Sequence, residues 1–184
     1  MELRINKIQM ADKNWLARIA SEIAEGGEYE LKLLSVVSDG IKDRKFHVAL
    51  NPFGVNIEGH HQFGPYGYAI YRSPESKTPT FLDCHVTIIE DDSGIRQVTE
   101  LMDLAVQTDA YQGLMKTVES IIANPYSVAV SIADELFQIA LSVIKGNSDD
   151  IFMQQDFTCT KRLGEFDKPF SLENEKLKAD FTFV

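Results

Sequence analysis

Apolar and polar residues alternate near both ends of the chain and recur at helical spacing between residues 94 and 145, so the change of period predicts an order of elements. A short alternating segment covers residues 2 to 9. Asp12 then stands where an N-cap is needed, ahead of Trp15, Leu16, Ile19, Ala20 and Ile23 on one helical face, and Gly26-Gly27 is placed to end that helix. Residues 28 to 90 read as strands and turns. Tyr29, Leu31 and Leu33 alternate with Glu28, Glu30 and Lys32, while Phe46, Val48 and Leu50 alternate with His47 and Ala49. Asn51-Pro52, Phe53-Gly54, Gly64-Pro65 and Tyr66-Gly67 interrupt the pattern, which leaves room only for short strands around Val55 to Ile57 and Tyr66 to Tyr71. An exposed loop is expected from Ser73 to Pro79. Phe81 to Glu90 carries the clearest alternation, with Leu82, Cys84, Val86 and Ile88 on one face and Phe81, Asp83, His85, Thr87 and Ile89 on the other. Cys84 is expected to point into the core.

The period then becomes helical. Ile95, Val98, Leu101, Met102 and Ala105 form one stripe, and Leu114, Met115, Val118, Ile121 and Ile122 form a second, opened by a capping-box pattern at Asp109 and Gln112. Asn124-Pro125 supplies a cap and a first-turn proline for a third helix, with Val128, Ile132, Leu136, Ile139 and Val143 on its inner side and Gly146 as its stop. That helix is apolar nearly all round. Only Ser131, Asp134, Glu135, Gln138, Ser142 and Lys145 trace a polar seam, and a central Asp costs about 2.5–3.5 kcal/mol in a bilayer, so the sequence predicts a buried helix and no transmembrane segment. Alternation returns at Ile151, Met153, Phe157 and Cys159, and again at Leu177, Ala179, Phe181 and Phe183. The expected fold is α+β: one domain over residues 1–184, a mostly antiparallel β-sandwich or sheet with a block of about three helices inserted roughly at 94–145.

Composition narrows the partners. With 184 residues and 44% hydrophobic positions the chain can bury an ordinary core without staples. Its formal charge of −10 speaks against nucleic acid, whose affinity comes from Lys and Arg on phosphates, and against an anionic membrane surface unless a cation bridges the two. A protein partner is the expectation. The first residues alternate charged and apolar side chains and build no signal-peptide core, so a cytoplasmic product is expected. Two cysteines, Cys84 and Cys159, are too few for a disulfide framework.

Candidate chemistry is sparse. The glycines at 54, 59, 64 and 67 lack phosphate-loop spacing and read as turns. His60-His61, with His47 or His85 brought near, would be the raw material of a transition-metal site, although neighbours in a strand face opposite ways and a surface-loop pair is the simpler reading. The same divergence separates Cys84 from His85. Asp83 and His85 share a face and are expected to make a cross-strand surface contact. The most suggestive feature is acidic loops at strand ends: Asp39 and Asp43 after one strand, Asp91 and Asp92 after another, and Asn147, Asp149 and Asp150 before a third. Calcium takes six to eight oxygen ligands, so these loops would hold it if they met at one edge; as turn and cap residues they need no metal at all.

Short strands with aspartates in their connecting loops resemble a C2-type β-sandwich over residues 28–90 and 150–184, with Asp39, Asp43, Asp91 and Asp92 standing after strands. The resemblance implies loops at one end that bind calcium and recruit a membrane or protein, or an interaction module without metal. A non-catalytic binding module, calcium-dependent through its acidic loops, is therefore the leading expectation. The alternatives are a small metal-dependent hydrolase using His47, His60, His61 or His85, and an acidic inhibitor or antitoxin-like partner of a basic protein.

Overall fold

A computed structural model describes residues 1–24, 29–39, 46–74, 78–90, 94–120, 125–145 and 151–184, with the backbone alone at 117–120 and 125–130. Among these residues nine strands form two antiparallel sheets: β1 (Glu2–Met10), β2 (Glu30–Ser38), β3 (His47–Gly54), β4 (His60–Gln62), β5 (Tyr68–Arg72), β6 (Phe81–Glu90), β7 (Ile151–Thr160), β8 (Phe170–Glu173) and β9 (Leu177–Phe183). The helices are α1 (Lys13–Ala24), α2 (Val98–Ala105), α3 (Asp109–Ser120) and α4 (Pro125–Ile144). One sheet runs β3-β2-β6-β7; the other runs β4-β1-β9-β8, with β5 also on β1. The α+β class and the inserted helical block expected from the hydrophobic period are both present, and β6 and β7, which flank the insertion, are direct neighbours.

The two sheets pack face to face. Leu3, Ile5 and Ile8 of β1 and Leu177, Ala179 and Phe181 of β9 meet Leu31, Leu33, Val86, Ile88 and Phe152 of the other sheet in one core. The opposite face of the β2-containing sheet has its own core, where Leu34, Val36, Leu50 and Ile89 receive Leu101, Leu114, Leu136, Phe137 and Ile144 from the helices. That second cover explains why β6 is buried on both faces over Leu82–Ile89 and why the exposed residues among 131–145 of the α4 region are those of the polar seam. Among the described residues no helix is long and apolar enough to cross a membrane.

Local signals hold at several ends. Asp12 Oδ1 accepts from the N–H groups of Asn14 (2.7 Å) and Trp15 (3.4 Å), as an N-cap should, and Pro125 opens α4. Trp15 then lays its ring edge-on to Phe152 at 4.7 Å, docking α1 at the end of the sandwich.

Elsewhere packing overrode the local pattern. Asn51-Pro52 and Phe53-Gly54 do not break β3, because it is an edge strand and proline's missing donor is tolerated there. Val55 to Ile57 lies past that strand instead of forming one, and the strand expected at Tyr66 to Tyr71 is Tyr68–Arg72. The α3 cap is Thr108, whose Oγ1 accepts from Tyr111 N–H at 3.2 Å, in place of the Asp109 and Gln112 box; Gln112 instead donates its amide to Val106 O at 2.8 Å. Ile151 and Met153 do not share a face. The register shifts between Ile88 and Ile89, so that Phe152 is an extra residue packed with Met153 in the sandwich core while Ile151 turns to the helices.

Candidate functional site

β6 and β7 pair with His85 opposite Asp156 and Asp83 opposite Thr158. Residues opposite one another share a face, so these four side chains form one cluster on the helix-facing side of the sheet. His85 donates from Nδ1 to Asp156 Oδ1 at 2.8 Å and from Nε2 to Asp83 Oδ2 at 3.1 Å. Thr158 Oγ1 donates to the other Asp83 oxygen at 3.0 Å, Asp134 of α4 brings a third carboxylate to 4.0 Å from Nδ1, and Phe137 stacks on the imidazole at 5.6 Å between centroids. Carboxylates only accept, so both ring nitrogens carry protons and His85 is an imidazolium. Burial of the ring opposes that charge, but the bonds and charges of Asp83 and Asp156 outweigh it and hold the pKa above the usual histidine range. With both N–H groups donated and no lone pair left, the ring is set up as a charged staple and not as a base.

The cluster changes character toward the sheet edge. His85 and Asp83 are buried, whereas the side chains of Asp134 and Asp156 are 53% and 60% exposed. Three carboxylates face one imidazolium, so the exposed end is a negatively charged shelf, continued along β7 by the exposed Gln154 and Thr158. On the other face of the same strand, Phe157, Cys159, Phe170, Leu172 and Pro169 line a groove of about 340 Å³ between β7 and β8, rimmed by Glu165 and Lys168. β7 and β8 are the outermost strands of their sheets on this side, and the Phe157 and Phe170 rings meet between them at 5.3 Å between centroids. On the opposite side of the sandwich Tyr68 OH donates to Leu50 O at 3.2 Å, and His61 Nδ1 donates to Gly54 O at 2.7 Å.

Of the residues expected to hold calcium, one lies among the described residues. Asp39 is buried at the end of β2 and accepts a 2.8 Å bond from Tyr71 OH; Asp43, Asp91, Asp92, Asn147, Asp149 and Asp150 lie outside the described residues. The strand ends that lead to them are described. Ser38 pairs with Asp83, at the start of β6, while Leu31 pairs with Glu90, at its finish. Those ends are roughly 23 Å apart at about 3.3 Å per residue. By contrast Ile89 pairs with Ile151, so the strand ends before 91–92 and after 147–150 are neighbours.

The histidines are dispersed. His60 and His61 sit on β4, paired with β1 through Gln9 and Ile8, in place of the surface loop expected for them. His61 is packed between Phe53 (4.8 Å) and Phe63 (4.4 Å), where burial lowers its pKa; His47 lies 6.0 Å from the Tyr71 ring. Among the described residues no three of His, Cys, Asp and Glu are placed to hold a metal ion. Cys84 lies in the sandwich core as its alternation predicted, with burial pushing its thiol well up, and the same cause raises Cys159 to about 11. The Asp83 and His85 contact, expected at the surface, is buried beneath α4. Its third member, Asp156, is 71 residues from His85, and only the β6–β7 register joins them. No family model, curated protein or solved structure matches the chain.

Proposed function

We propose that the protein is a non-catalytic interaction module that engages a segment of a partner protein along the outer edge of its sandwich, at β7. The observation that carries this reading is the position of β7: ten residues long, last in its sheet, with a carboxylate shelf on one face and an apolar groove on the other. An outermost strand of that length offers main-chain donors and acceptors to an incoming chain. The groups that sequence offered for proton transfer or nucleophilic attack support the same reading, since His85 spends both N–H groups on carboxylates and both thiols are buried. Selection of random peptides displayed on phage against the full chain is the test. Enrichment of peptides that compete with one another and lose binding to a Gln154→Lys variant is expected; no enrichment over an unrelated acidic protein would sink the reading.

Calcium dependence is a second reading, favoured by the pairing of Ile89 with Ile151, which sets the strand ends flanking two acidic segments side by side. Two facing sheets are also what the C2-like expectation asks for. It assigns calcium to residues 91–92 and 147–150 and leaves Asp39 with its structural bond to Tyr71. A thermal melt with and without millimolar calcium decides it: the transition should rise with the ion, and an unmoved transition removes calcium from the account.

A further inference from the structure

The β7 edge carries chemistry that specifies its partner, an inference that rests on the interaction reading above. We infer that β7 accepts an extended segment in which basic and apolar side chains alternate, added as a further strand of the β3-β2-β6-β7 sheet.

The other sheet edges are poor templates. β3 contains Pro52, β4 has three residues, β5 five and β8 four. β7 has ten residues and no proline. Its two ends are tied: Lys176 Nζ donates to Ile151 O at 2.9 Å, Asn174 Nδ2 to Phe152 O at 2.8 Å, and Thr160 N–H to Glu165 Oε2 at 2.6 Å. Between those ties, from 153 to 159, no strand of the described residues pairs with the outer edge.

Side chains of an added strand point alternately to the two faces. On the helix side they meet Gln154, Asp156 and Thr158, with Asp134 above, where carboxylates outnumber the single imidazolium. Lys or Arg is complementary there. On the other side they meet the groove of Phe157, Phe170 and Leu172, whose floor takes an apolar side chain between the rim residues Glu165 and Lys168. Main-chain pairing supplies affinity, and the two unlike faces supply the period-two code. A second copy of this chain fits poorly, because strand-to-strand pairing would set the Asp156 shelves against each other in a protein of formal charge −10.

The experiment uses the full chain and blocked, fluorescent nonapeptides: one alternating lysine with valine or phenylalanine, one of the same composition with lysines and apolar residues in separate blocks, one with glutamate for lysine, and one N-methylated along a single edge. Anisotropy gives affinity, and amide hydrogen exchange locates binding. The alternating lysine peptide should bind at least tenfold more tightly than the other three and slow exchange at residues 153–159. Gln154→Lys, an exposed change that touches none of the His85 bonds, should weaken it about tenfold without moving the melting transition. Equal binding of the alternating and block peptides, indifference to N-methylation, or protection away from β7 each overturns the inference, as does a dimer that sedimentation shows to be closed through β7. If the designed peptides fail while the display selection yields other β7 binders, the partner chemistry is wrong and the interaction reading stands; failure of both removes both.

Discussion

Replacing His85 with leucine removes the imidazolium and leaves an apolar side chain against Phe137. The cost follows from which partners are dry. Asp83 is 8% exposed, and its bond with the 4% exposed His85 is charge-assisted, a class worth about 1.5–3 kcal/mol. Asp156 and Asp134 are 60% and 53% exposed, so water and salt reduce their pairing to about 0.2–1 kcal/mol. His85→Leu should therefore lose about 2–3 kcal/mol near pH 6, a shift of roughly 1–2 M in the urea midpoint for ordinary slopes. Its pH dependence is the sharper part. The folded-state pKa is raised above the unfolded value of about 6.5, so the stabilisation is complete below that pH and disappears as the pH rises through the folded pKa. The gap between wild type and variant should be widest near pH 6 and narrow on the alkaline side. Urea unfolding followed by the fluorescence of Trp15, the sole tryptophan, reads it from pH 5.5 to 9.5. A gap that stays constant across that range would refute the imidazolium assignment.

Three further outcomes are expected. Gly67 has φ 74° and an added Cβ would meet Asn6 Oδ1 and lie 2.8 Å from Ile5 O, so Gly67→Ala should cost about 2–3 kcal/mol; Gly64→Ala, at φ 60° with nothing within 4 Å, should cost only about 1 kcal/mol, and equal losses in urea titration would contradict the close approach at Asn6. Phe152, 1% exposed beneath Trp15, should lose about 3–5 kcal/mol on change to alanine, with a shift in native tryptophan emission; an unaltered emission would mean α1 does not dock there. With Cys159 near pKa 11 and Cys84 raised well above its usual value by burial, both thiols should react with a disulfide reagent at pH 8 about a hundredfold more slowly in the native chain than in urea, and fast native labelling would place a thiol at the surface.

The legible features were those written within one element. Leu82, Cys84, Val86 and Ile88 announce a core face because a strand repeats every two residues, and Leu177, Ala179 and Phe181 do the same for β9. Asp12 and Pro125 mark helix starts because capping is a matter of the nearest few residues. Thr108 was passed over for Asp109 since neighbouring hydroxyl and carboxyl residues both suit a cap, and only the course of the chain after α2 chooses between them. Pro52 and the extra Phe152 were illegible for a related reason: tolerance of a proline depends on which strand is outermost, and a bulge depends on register with a distant partner.

By itself, then, the sequence determined the succession of strands, helical block and strands, the core faces of the regular elements, and the net negative charge. The cluster at His85 came from tertiary structure alone. Local alternation put Asp83 and His85 on one face, but it carries no information on what covers that face; α4 does, and β7 contributes Asp156 across 71 residues of chain. The same pairing made β7 the outermost strand of its sheet. Burial, charge state and exposure of an edge are properties of how elements meet, and a pattern read along the chain reaches only as far as each element's own period.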